Sequence, residues 1–574
     1  MGPLRTLMVG LLTFAPATVP LSAQQGTTFD VLIRGGRVID GTGNPWFTAD
    51  VGIRGGKIAA VGNLSGATAG RILDARGKMV IPGFIDMHSH ATSSSGLLSP
   101  DVRRRTAPNL VTQGITTVVG NPDGRGPTSI AEQKAKLAEL GTGLNAILMI
   151  GHNTVRQTVM GTDYRRKATP AEVERMRAIV RQGMEEGAYG LSAGLEYVPG
   201  LWSNTDEVVH LVEEIVPYDG LYTAHARAGA ASPRWWRPSL DASADKVTFL
   251  DAVQETCEIG ERTGAKVSVS HIQARGATQW GTSGPAISMI DRARARGVRV
   301  FADKYPYNTS GSDGNTVILP GWALGQERWA GGGYWGGSVP DYREALRKTL
   351  ADPTVAGALR TDMTYELTFR GGPENIVVFD HPDPSRVGKS LAELAEARGE
   401  TPVEVAINLA LEGYPNRPGG ARLRSFSFSE EDIEAFSAAP WVALSTDAGV
   451  ALPEDGPTTH ARYYGSFPRV IRHYVLERGV TSLEFAVRAG TSLPAEMLGL
   501  RNRGLIREGL GADIVVMDLD RVRDRATFTE PHQFSAGMEY VLVNGEFVVD
   551  GEGNVTGALP GVVITPKNGR LVRP

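Results

Sequence analysis

The chain has 574 residues, 41% of them hydrophobic and 21% charged, which is typical of a globular protein and excludes a disordered or fibrous one. Its formal net charge of −4 argues against a nucleic acid or an anionic membrane held by a strong overall field. Cys257 is the only cysteine, so an intramolecular disulfide, a four-cysteine zinc module and an iron–sulfur cluster are excluded.

Residues 1–23 have the pattern of a secretory signal peptide. Arg5 precedes an apolar run over residues 7–14, and small residues follow at Ser22-Ala23; this is the usual order of charged, apolar and cleavage regions. The run is too short to cross a bilayer, and no later stretch reaches the ~18 apolar residues of a transmembrane helix. We predict an exported protein, periplasmic or secreted, with a mature chain from about Gln24. A disordered start is the alternative.

Short strands broken by glycine make up residues 24–80. Stretches such as VLIRGGRVIDGTG alternate apolar residues with Gly-Gly or Asp-Gly turns, which predicts antiparallel hairpins. The same pattern of apolar stretches broken by turn residues occurs in residues 492–574, where Asn544-Gly545 is a preferred two-residue hairpin turn. We predict one β-sandwich domain built from both chain ends, although two separate small sheets would give the same pattern.

Residues 81–491 alternate short apolar runs with amphipathic stretches, which is the pattern of βα units around a parallel sheet. One helix is marked by Thr169 as N-cap, Pro170 at the first helical position and Glu172 three residues after the cap. Eight runs are candidate strands: VIPGFIDMHSH, TTVVGN, AILMIGH, YGLSAG, LYTAHA, KVSVSH, VRVFADKYPY and WVALSTD. Eight such units favour an α/β fold of the (β/α)8 TIM-barrel type over a doubly wound sheet.

The interval between Tyr307 and Trp441 is too long for a single crossover connection. We therefore predict an inserted subdomain over about residues 310–438. Its aromatic, glycine-rich segment RWAGGGYWGGS is predicted to form a loop.

Polar side chains stand at the ends of the predicted strands. In order they are His88 and His90, Asn121 to Asp123, His152, Ser192, His225, His271, Asp303 with Tyr305, and Asp447. The C-terminal ends of barrel strands carry the active site because the βα loops converge there. A single histidine is more often structural than a ligand, but several histidines with an aspartate at one barrel face predict a metal site.

His88 and His90 lie two residues apart at a strand end, so both imidazoles point to one side and can reach one divalent ion. Preceded by IPGFID, and joined by single histidines after two later strands and a late Ser-Thr-Asp, this motif resembles the amidohydrolase superfamily. The sequence is most similar to its N-acyl-D-amino-acid deacylase (D-aminoacylase) family, in stretches such as QGITTVVGN, GLSAGLEYVPG, SHIQARG, DKYPY and THARYYGSFPRV. The resemblance covers Phe29 to Gly551 and implies metal-dependent hydrolysis on a TIM barrel with a β-sandwich.

The resemblance also implies the metal ligands and the general base. A tightly bound zinc ion (Zn2+) would take His225 and His271, and a second, weaker metal position would lie between His88, His90 and Asp447. Asp447 is implied as the general base, which accepts a proton from the attacking water and delivers it to the leaving amine.

Two further residues are implied to contact the substrate. Tyr305, in DKYPY, matches a tyrosine that faces the substrate, and its hydroxyl could donate to the developing oxyanion. Arg462, in HAR where the family usually has HPR, matches the guanidinium that binds the substrate carboxylate.

Two positions depart from the family pattern. The family's metal-site cysteine, in a GNCG motif, is absent, since this chain reads Gly-Asn-Pro-Asp-Gly from 120 to 124. Asp123 could supply an oxygen ligand in its place, or it could only shape a Pro-Asp-Gly turn. Gln273 stands where the family often has a lysine that contacts the substrate carboxylate, so recognition could rest on Arg462 alone, or the substrate could differ.

Two other features concern the pocket wall and the choice of nucleophile. Trp235 and Trp236, after His225, either cover an insertion or form an apolar wall of the pocket. Cys257 shares the predicted buried side of a helix with Val253 and Phe249, which indicates a core residue and not a nucleophile.

These observations predict a zinc-dependent hydrolase that cleaves the N-acyl amide bond of an N-acyl-D-amino acid or a related acylated small molecule. The alternatives are hydrolysis of a cyclic amide or a dipeptide, or a non-catalytic metal- or ligand-binding relative. No lysine stands where hydantoinase-like relatives carry their carbamylated ligand after strand four, which counts against a cyclic amide. We expect a small-molecule partner, with no nucleic acid and no membrane.

Overall fold

The computed structural model describes residues 28–243, 246–311, 314, 316–324, 342–417, 419–456 and 459–569. The predicted signal peptide and the predicted loop RWAGGGYWGGS lie outside these residues and stay predictions. No helix within the described residues is both long enough and apolar enough to cross a membrane.

The strands of the described residues form four sheets. They are β1 (Thr28–Val38), β2 (Phe47–Arg54), β3 (Lys57–Gly62), β4 (Thr68–Asp74), β5 (Met79–Pro82), β6 (Phe84–Asp86), β7 (Ile115–Gly120), β8 (Asn145–Leu148), β9 (Ile150–Gly151), β10 (Gly190–Gly194), β11 (Leu221–His225), β12 (Lys266–Val269), β13 (Val300–Lys304), β14 (Ile376–Asp380), β15 (Arg422–Ser425), β16 (Val442–Leu444), β17 (Ile514–Met517), β18 (Met538–Val543) and β19 (Glu546–Val549).

The α-helices connect and cover these sheets. They are α1 (Val102–Arg105), α2 (Pro108–Val111), α3 (Ile130–Leu140), α4 (His152–Met160), α5 (Pro170–Glu186), α6 (Thr205–Glu213), α7 (Pro238–Asp241), α8 (Phe249–Thr263), α9 (Ser283–Ala295), α10 (Tyr342–Ala351), α11 (Pro353–Phe369), α12 (Leu391–Arg398), α13 (Pro402–Glu412), α14 (Glu430–Ser437), α15 (Arg462–Arg469), α16 (Leu483–Gly490), α17 (Ser492–Leu498) and α18 (Pro566–Gly569).

Both ends of the described chain contribute to one sheet. Its order is β19-β18-β17-β5-β1-β2-β3, and β4 pairs with the first half of β1. A register shift between Ile33 and Gly36 divides β1, so that its second half pairs with β5 instead. Apolar side chains from both chain ends, such as Val31, Ile514 and Leu542, pack in one core. The sheet therefore joins the two ends, as the sequence predicts.

The middle of the chain forms the predicted barrel. Parallel strands follow the order β16-β13-β12-β11-β10-β9 in one sheet and β6-β7-β8 in another. Only Met149 separates β8 from β9, and a parallel bridge between Ser89 and Ala448 joins the first strand to the last. All eight candidate strands are present, and the (β/α)8 fold is confirmed.

The segment between β13 and β16 contains a subdomain with its own core. The side chains of this core run from Val317 to Leu423 and include Leu359, Ile376 and Ile407. The β14–β15 hairpin is antiparallel. Phe436 on α14 instead belongs to the barrel core, which places α14 with the barrel.

Two local predictions are also confirmed. The Thr169 side chain accepts from the Glu172 N–H at 3.3 Å, and the Glu172 carboxylate accepts from the Thr169 N–H at 2.8 Å, which closes a capping box at α5. Asn544 and Gly545 take φ of 50° and 82° between β18 and β19, as a two-residue hairpin turn requires.

Cys257 is 1% exposed and lies on the buried side of α8 with Phe249 and Val253. Burial raises the pKa of its thiol to about 11. Because the thiolate is the reactive form, the native chain is expected not to react with Ellman's reagent at pH 8. One thiol per chain should react after unfolding in guanidinium chloride. Fast labelling of the native chain would contradict this placement.

Candidate active site

A cavity of about 750 Å³ lies at the C-terminal ends of the barrel strands. Of the predicted site residues, those that line it are His90, Asp123, His225, His271, Gln273, Tyr305, Asp447 and Arg462. His88 is 1% exposed and lies beneath them. The structure therefore brings the whole predicted set into one place.

The Asp123 carboxylate stands at the centre of the histidines. Its Oδ1 lies 3.4 Å from His88 Nε2, 3.9 Å from His225 Nδ1 and 3.8 Å from His271 Nε2. The last two nitrogens are 2.9 Å apart. Ligands bound about 2.0–2.2 Å from a zinc ion lie about 3.3–3.6 Å from each other. The four distances between these donor atoms, from 2.9 to 3.9 Å, bracket that spacing.

A second group shares His88 and the other oxygen of Asp123. His90 Nε2 lies 3.1 Å from Asp447 Oδ1 and 3.6 Å from Asp123 Oδ2, and His88 Nε2 lies 3.6 Å from Asp447 Oδ1. The two oxygens of Asp123 thus face the two groups of nitrogens separately. Asp123 therefore offers one carboxylate oxygen to each group.

The donor atoms themselves fit a divalent cation. His88 Nε2 and Asp123 Oδ1 are buried and have no hydrogen-bond partner, which is costly unless an ion satisfies them. Burial lowers the pKa of His225 to about 4, so its imidazole is neutral, as a ligand must be. Burial opposes ionisation of Asp123, but the neighbouring His88, His271 and His225 together outweigh it and hold the pKa of that carboxyl well below its usual range.

Unusual backbone conformations aim these side chains. Asp123, His271 and Asp447 take φ of 58°, 36° and 48°, and Asn121 takes 59°. Such left-handed conformations cost non-glycine residues on the order of 1–3 kcal/mol each and concentrate at functional sites. The Asp447 N–H donates to the His88 carbonyl at 2.9 Å, which fixes the proposed base against the first strand.

Asp447 also pairs with the predicted carboxylate-binding arginine. Arg462 Nη1 lies 2.7 Å from Asp447 Oδ2, and its guanidinium stacks 4.7 Å from the centre of the Tyr305 ring. Burial opposes ionisation of Asp447, but Arg462 together with the neighbouring histidines outweighs it and holds the pKa of the carboxyl well below its usual range. Arg462 therefore orients Asp447 whatever else it binds.

Tyr305 and Gln273 face the cavity together. The Tyr305 hydroxyl donates to Gln273 Oε1 at 3.0 Å, and burial raises its pKa to about 12, so it keeps its proton at neutral pH. Gln273 Nε2 is buried without a partner. The pair thus offers one free amide donor to a ligand.

Sequence reasoning missed Glu196 as a functional residue. It is 4% exposed, and its carboxylate lies 2.9 Å from His225 Nε2, which leaves Nδ1 of that ring directed at Asp123. Burial opposes ionisation, but Arg275, His225 and Arg234 together outweigh it and lower the pKa of Glu196 to about 2. Its place in GLEYVPG, just after a strand end, was the available signal.

Several other strand-end residues lie outside the metal-ligand group. His152 is fully buried, with its Nε2 3.0 Å from Glu207 Oε1, and Ser192 donates to the Asn121 carbonyl at 2.6 Å. Trp236 packs on Tyr365, and neither it nor Trp235 lines the cavity. The apolar wall suggested for the two tryptophans is therefore wrong.

Comparisons with known proteins agree with this site. The model of the Amidohydrolase family matches residues 71–329 and 349–549. An N-acyl-D-glutamate deacylase of Alcaligenes xylosoxydans xylosoxydans is 34% identical over 538 residues, covering 90% of this chain and 93% of the relative. A D-aminoacylase of the same organism is 32% identical over 548 residues, covering 92% and 95%.

One solved structure adds a ligand. It is an N-acyl-D-glutamate deacylase from Bordetella bronchiseptica complexed with zinc and a phosphonate inhibitor that mimics the tetrahedral intermediate, with 29% identity and a TM-score of 0.67 over 94% of this chain and all of that one. Barrel, site and sequence together define a metal-dependent hydrolase. The chain belongs to the amidohydrolase family.

Proposed function

We propose that the protein is a zinc-dependent deacylase that hydrolyses the amide bond of N-acyl-D-amino acids. The observation that carries the proposal is the convergence of His88, His90, His225 and His271 on Asp123, next to a buried Asp447–Arg462 pair. Relatives named D-aminoacylase and N-acyl-D-glutamate deacylase, each 32–34% identical, support this substrate class.

His225, His271, His88 and Asp123 would hold the tightly bound ion, and His90 with Asp447 would complete a weaker second position. A divalent ion bound there polarises an amide carbonyl and lowers the pKa of water towards neutrality. Asp123 takes the place of the family's cysteine, because its carboxylate oxygens face both groups.

Asp447 carries the proton in this reaction. Its low pKa keeps it ionised at neutral pH, ready to accept a proton from the attacking water. Protonated Asp447 then delivers that proton to the leaving nitrogen. The Arg462 contact and the Asp447 N–H bond to the His88 carbonyl hold the carboxylate in place between both steps.

The substrate is held on the other side of the base. Arg462 lines the cavity and binds the α-carboxylate of the amino acid with its remaining donors, and the free Gln273 amide adds one hydrogen bond. When substrate binds, the Tyr305 hydroxyl would exchange its bond to Gln273 Oε1 for one to the oxygen that becomes negative in the transition state.

Metal content and acyl release test the proposal together. The purified protein should contain at least one zinc ion per chain and release acetate from N-acetyl-D-amino acids at least about tenfold faster than from the L enantiomers. Hydantoin, dihydrouracil and a dipeptide serve as comparison substrates. A protein that contains zinc but hydrolyses none of these amides would contradict the proposed enzymatic function. Turnover of the cyclic amides alone would show that the substrates are cyclic amides and not N-acyl-D-amino acids.

A further inference from the structure

A group of buried arginines and glutamates lies beside the metal-ligand cavity. Two carboxylates, Glu196 and Glu366, are engaged by their neighbours. Glu196 accepts from Arg275 Nη2 at 3.2 Å and from the backbone N–H of Arg234 at 2.7 Å, besides its contact with His225. Glu366 lies 2.7 Å from Arg370 Nε and 3.5 Å from Arg237 Nη2.

Arg234 lines the cavity next to this group without an ion-pair partner of its own. Among the described residues no carboxylate oxygen lies within 4.0 Å of its guanidinium, and its Nε is buried without a hydrogen-bond partner. Its electrostatic neighbours are Tyr197, Glu196 and Glu366. Glu196 and Glu366 each pair with another arginine, so Arg234 lines the cavity as a cation without a carboxylate of its own, with Tyr197 as its hydrogen-bonding neighbour.

The other cavity arginines differ from Arg234. Arg104 pairs with Asp455, Arg275 with Glu196, and Arg462 with Asp447. Arg125 is exposed and stacks over the Tyr197 ring at 5.7 Å. Arg234 is half-buried, and its Nε is fully buried without a partner. A ligand anion would pair this cation through charge-assisted hydrogen bonds.

Arg234 and Arg462 reach the cavity from different parts of the barrel rim. It follows β11 and faces Tyr197, whose ring centre lies 4.1 Å from that of the His225 imidazole. Arg462 contacts Asp447 after β16 and Tyr305 after β13. Because β12 lies between β13 and β11 in the barrel, the two guanidiniums can hold two different anionic groups of one ligand.

We propose that Arg234 binds a second carboxylate of the substrate, carried by either the acyl group or the side chain of the amino acid. This inference rests on the proposed deacylase function. It predicts that doubly anionic substrates are preferred, with the α-carboxylate on Arg462 and the second carboxylate on Arg234.

Matched substrates test the proposal and identify the source of the carboxylate. N-acetyl-D-glutamate is compared with N-acetyl-D-glutamine, and N-succinyl-D-leucine with N-butanoyl-D-leucine. In the wild type, kcat/KM for at least one acidic substrate should exceed that of its neutral partner by about tenfold or more. The preferred pair shows whether the side chain or the acyl group carries the anion.

Arg234→Gln should reduce this acidic-to-neutral ratio by about tenfold or more. Arg234→Lys, which keeps the charge, should retain part of the preference. Arg125→Gln removes an equal charge at an exposed position of the same cavity and should change the ratio by less than about threefold.

Three other results would contradict either the Arg234 site or the deacylase function. A wild-type ratio near one for both pairs rejects the second carboxylate site, even if the Arg234 variants do not fold. An equal loss of preference in Arg125→Gln and Arg234→Gln assigns it to the general field of the cavity, which also rejects the site. Absence of turnover on all four substrates rejects the deacylase function itself.

Discussion

Asp447→Asn is expected to lower kcat by about 10²–10⁴-fold while the tightly bound zinc stays in place. The amide has the same size and can still accept the Arg462 hydrogen bond, but it cannot take a proton from water at neutral pH. Because Asp447 reaches the second group of nitrogens and not His225 or His271, the main site keeps its ligands. Steady-state kinetics and zinc analysis of the same samples check this.

Asp455→Asn is the matched control for this change. Asp455 lines the same cavity, but its carboxylate pairs with Arg104 and reaches none of the histidines within the metal-ligand group. Its variant should keep turnover within about threefold, since a partly exposed ion pair contributes little. An Asp447→Asn enzyme with an unchanged rate would remove the proton-transfer role and leave the remaining site intact.

Asp123→Ala is expected to weaken zinc binding by about 100-fold or more, since it removes an oxygen that faces both groups of nitrogens. Competition with a chelator of known affinity measures the change, and turnover at limiting zinc should fall with it. Asp123→Cys, which restores the ligand type of the family, should bind zinc more tightly than the alanine variant.

Asp123→Asn separates ligation from turn geometry. Asparagine tolerates the φ of 58° found at this position, whereas alanine is strained there. Loss of zinc affinity in both variants, with the thermal stability of the metal-free Asn variant unchanged, assigns Asp123 to the metal. Normal zinc affinity in the Asn variant would leave Asp123 as a turn residue.

Local and periodic signals in the sequence predicted most of the fold. Eight apolar runs became the eight barrel strands, and Asn544-Gly545 formed its hairpin turn, because both depend on neighbouring residues. The histidines at strand ends met in one cavity because parallel strands in a barrel present their C-terminal ends on one face.

Loop conformations set the limits of prediction. Glu196 and Arg234 reach the site through loops after β10 and β11, and the Glu196 carboxylate depends on contacts with residues distant in the chain, such as Arg275. The same dependence placed Trp236 against Tyr365 instead of the cavity. Asp123 could be interpreted as a ligand or a turn residue because one left-handed conformation serves both roles.

The closure of the barrel has a consequence for how the protein folds. Hydrogen bonds between His90 and Ala448, and between Asp86 and Thr446, join the first strand to the segment after the last one, 360 residues further along the chain in the second case. A ribosome-bound or truncated chain that ends before Thr446 holds His88 and His90 but not the base that faces them. The catalytic centre therefore forms only when these long-range contacts between the first and last strands are made. The chain can become active only after most of it has been synthesised.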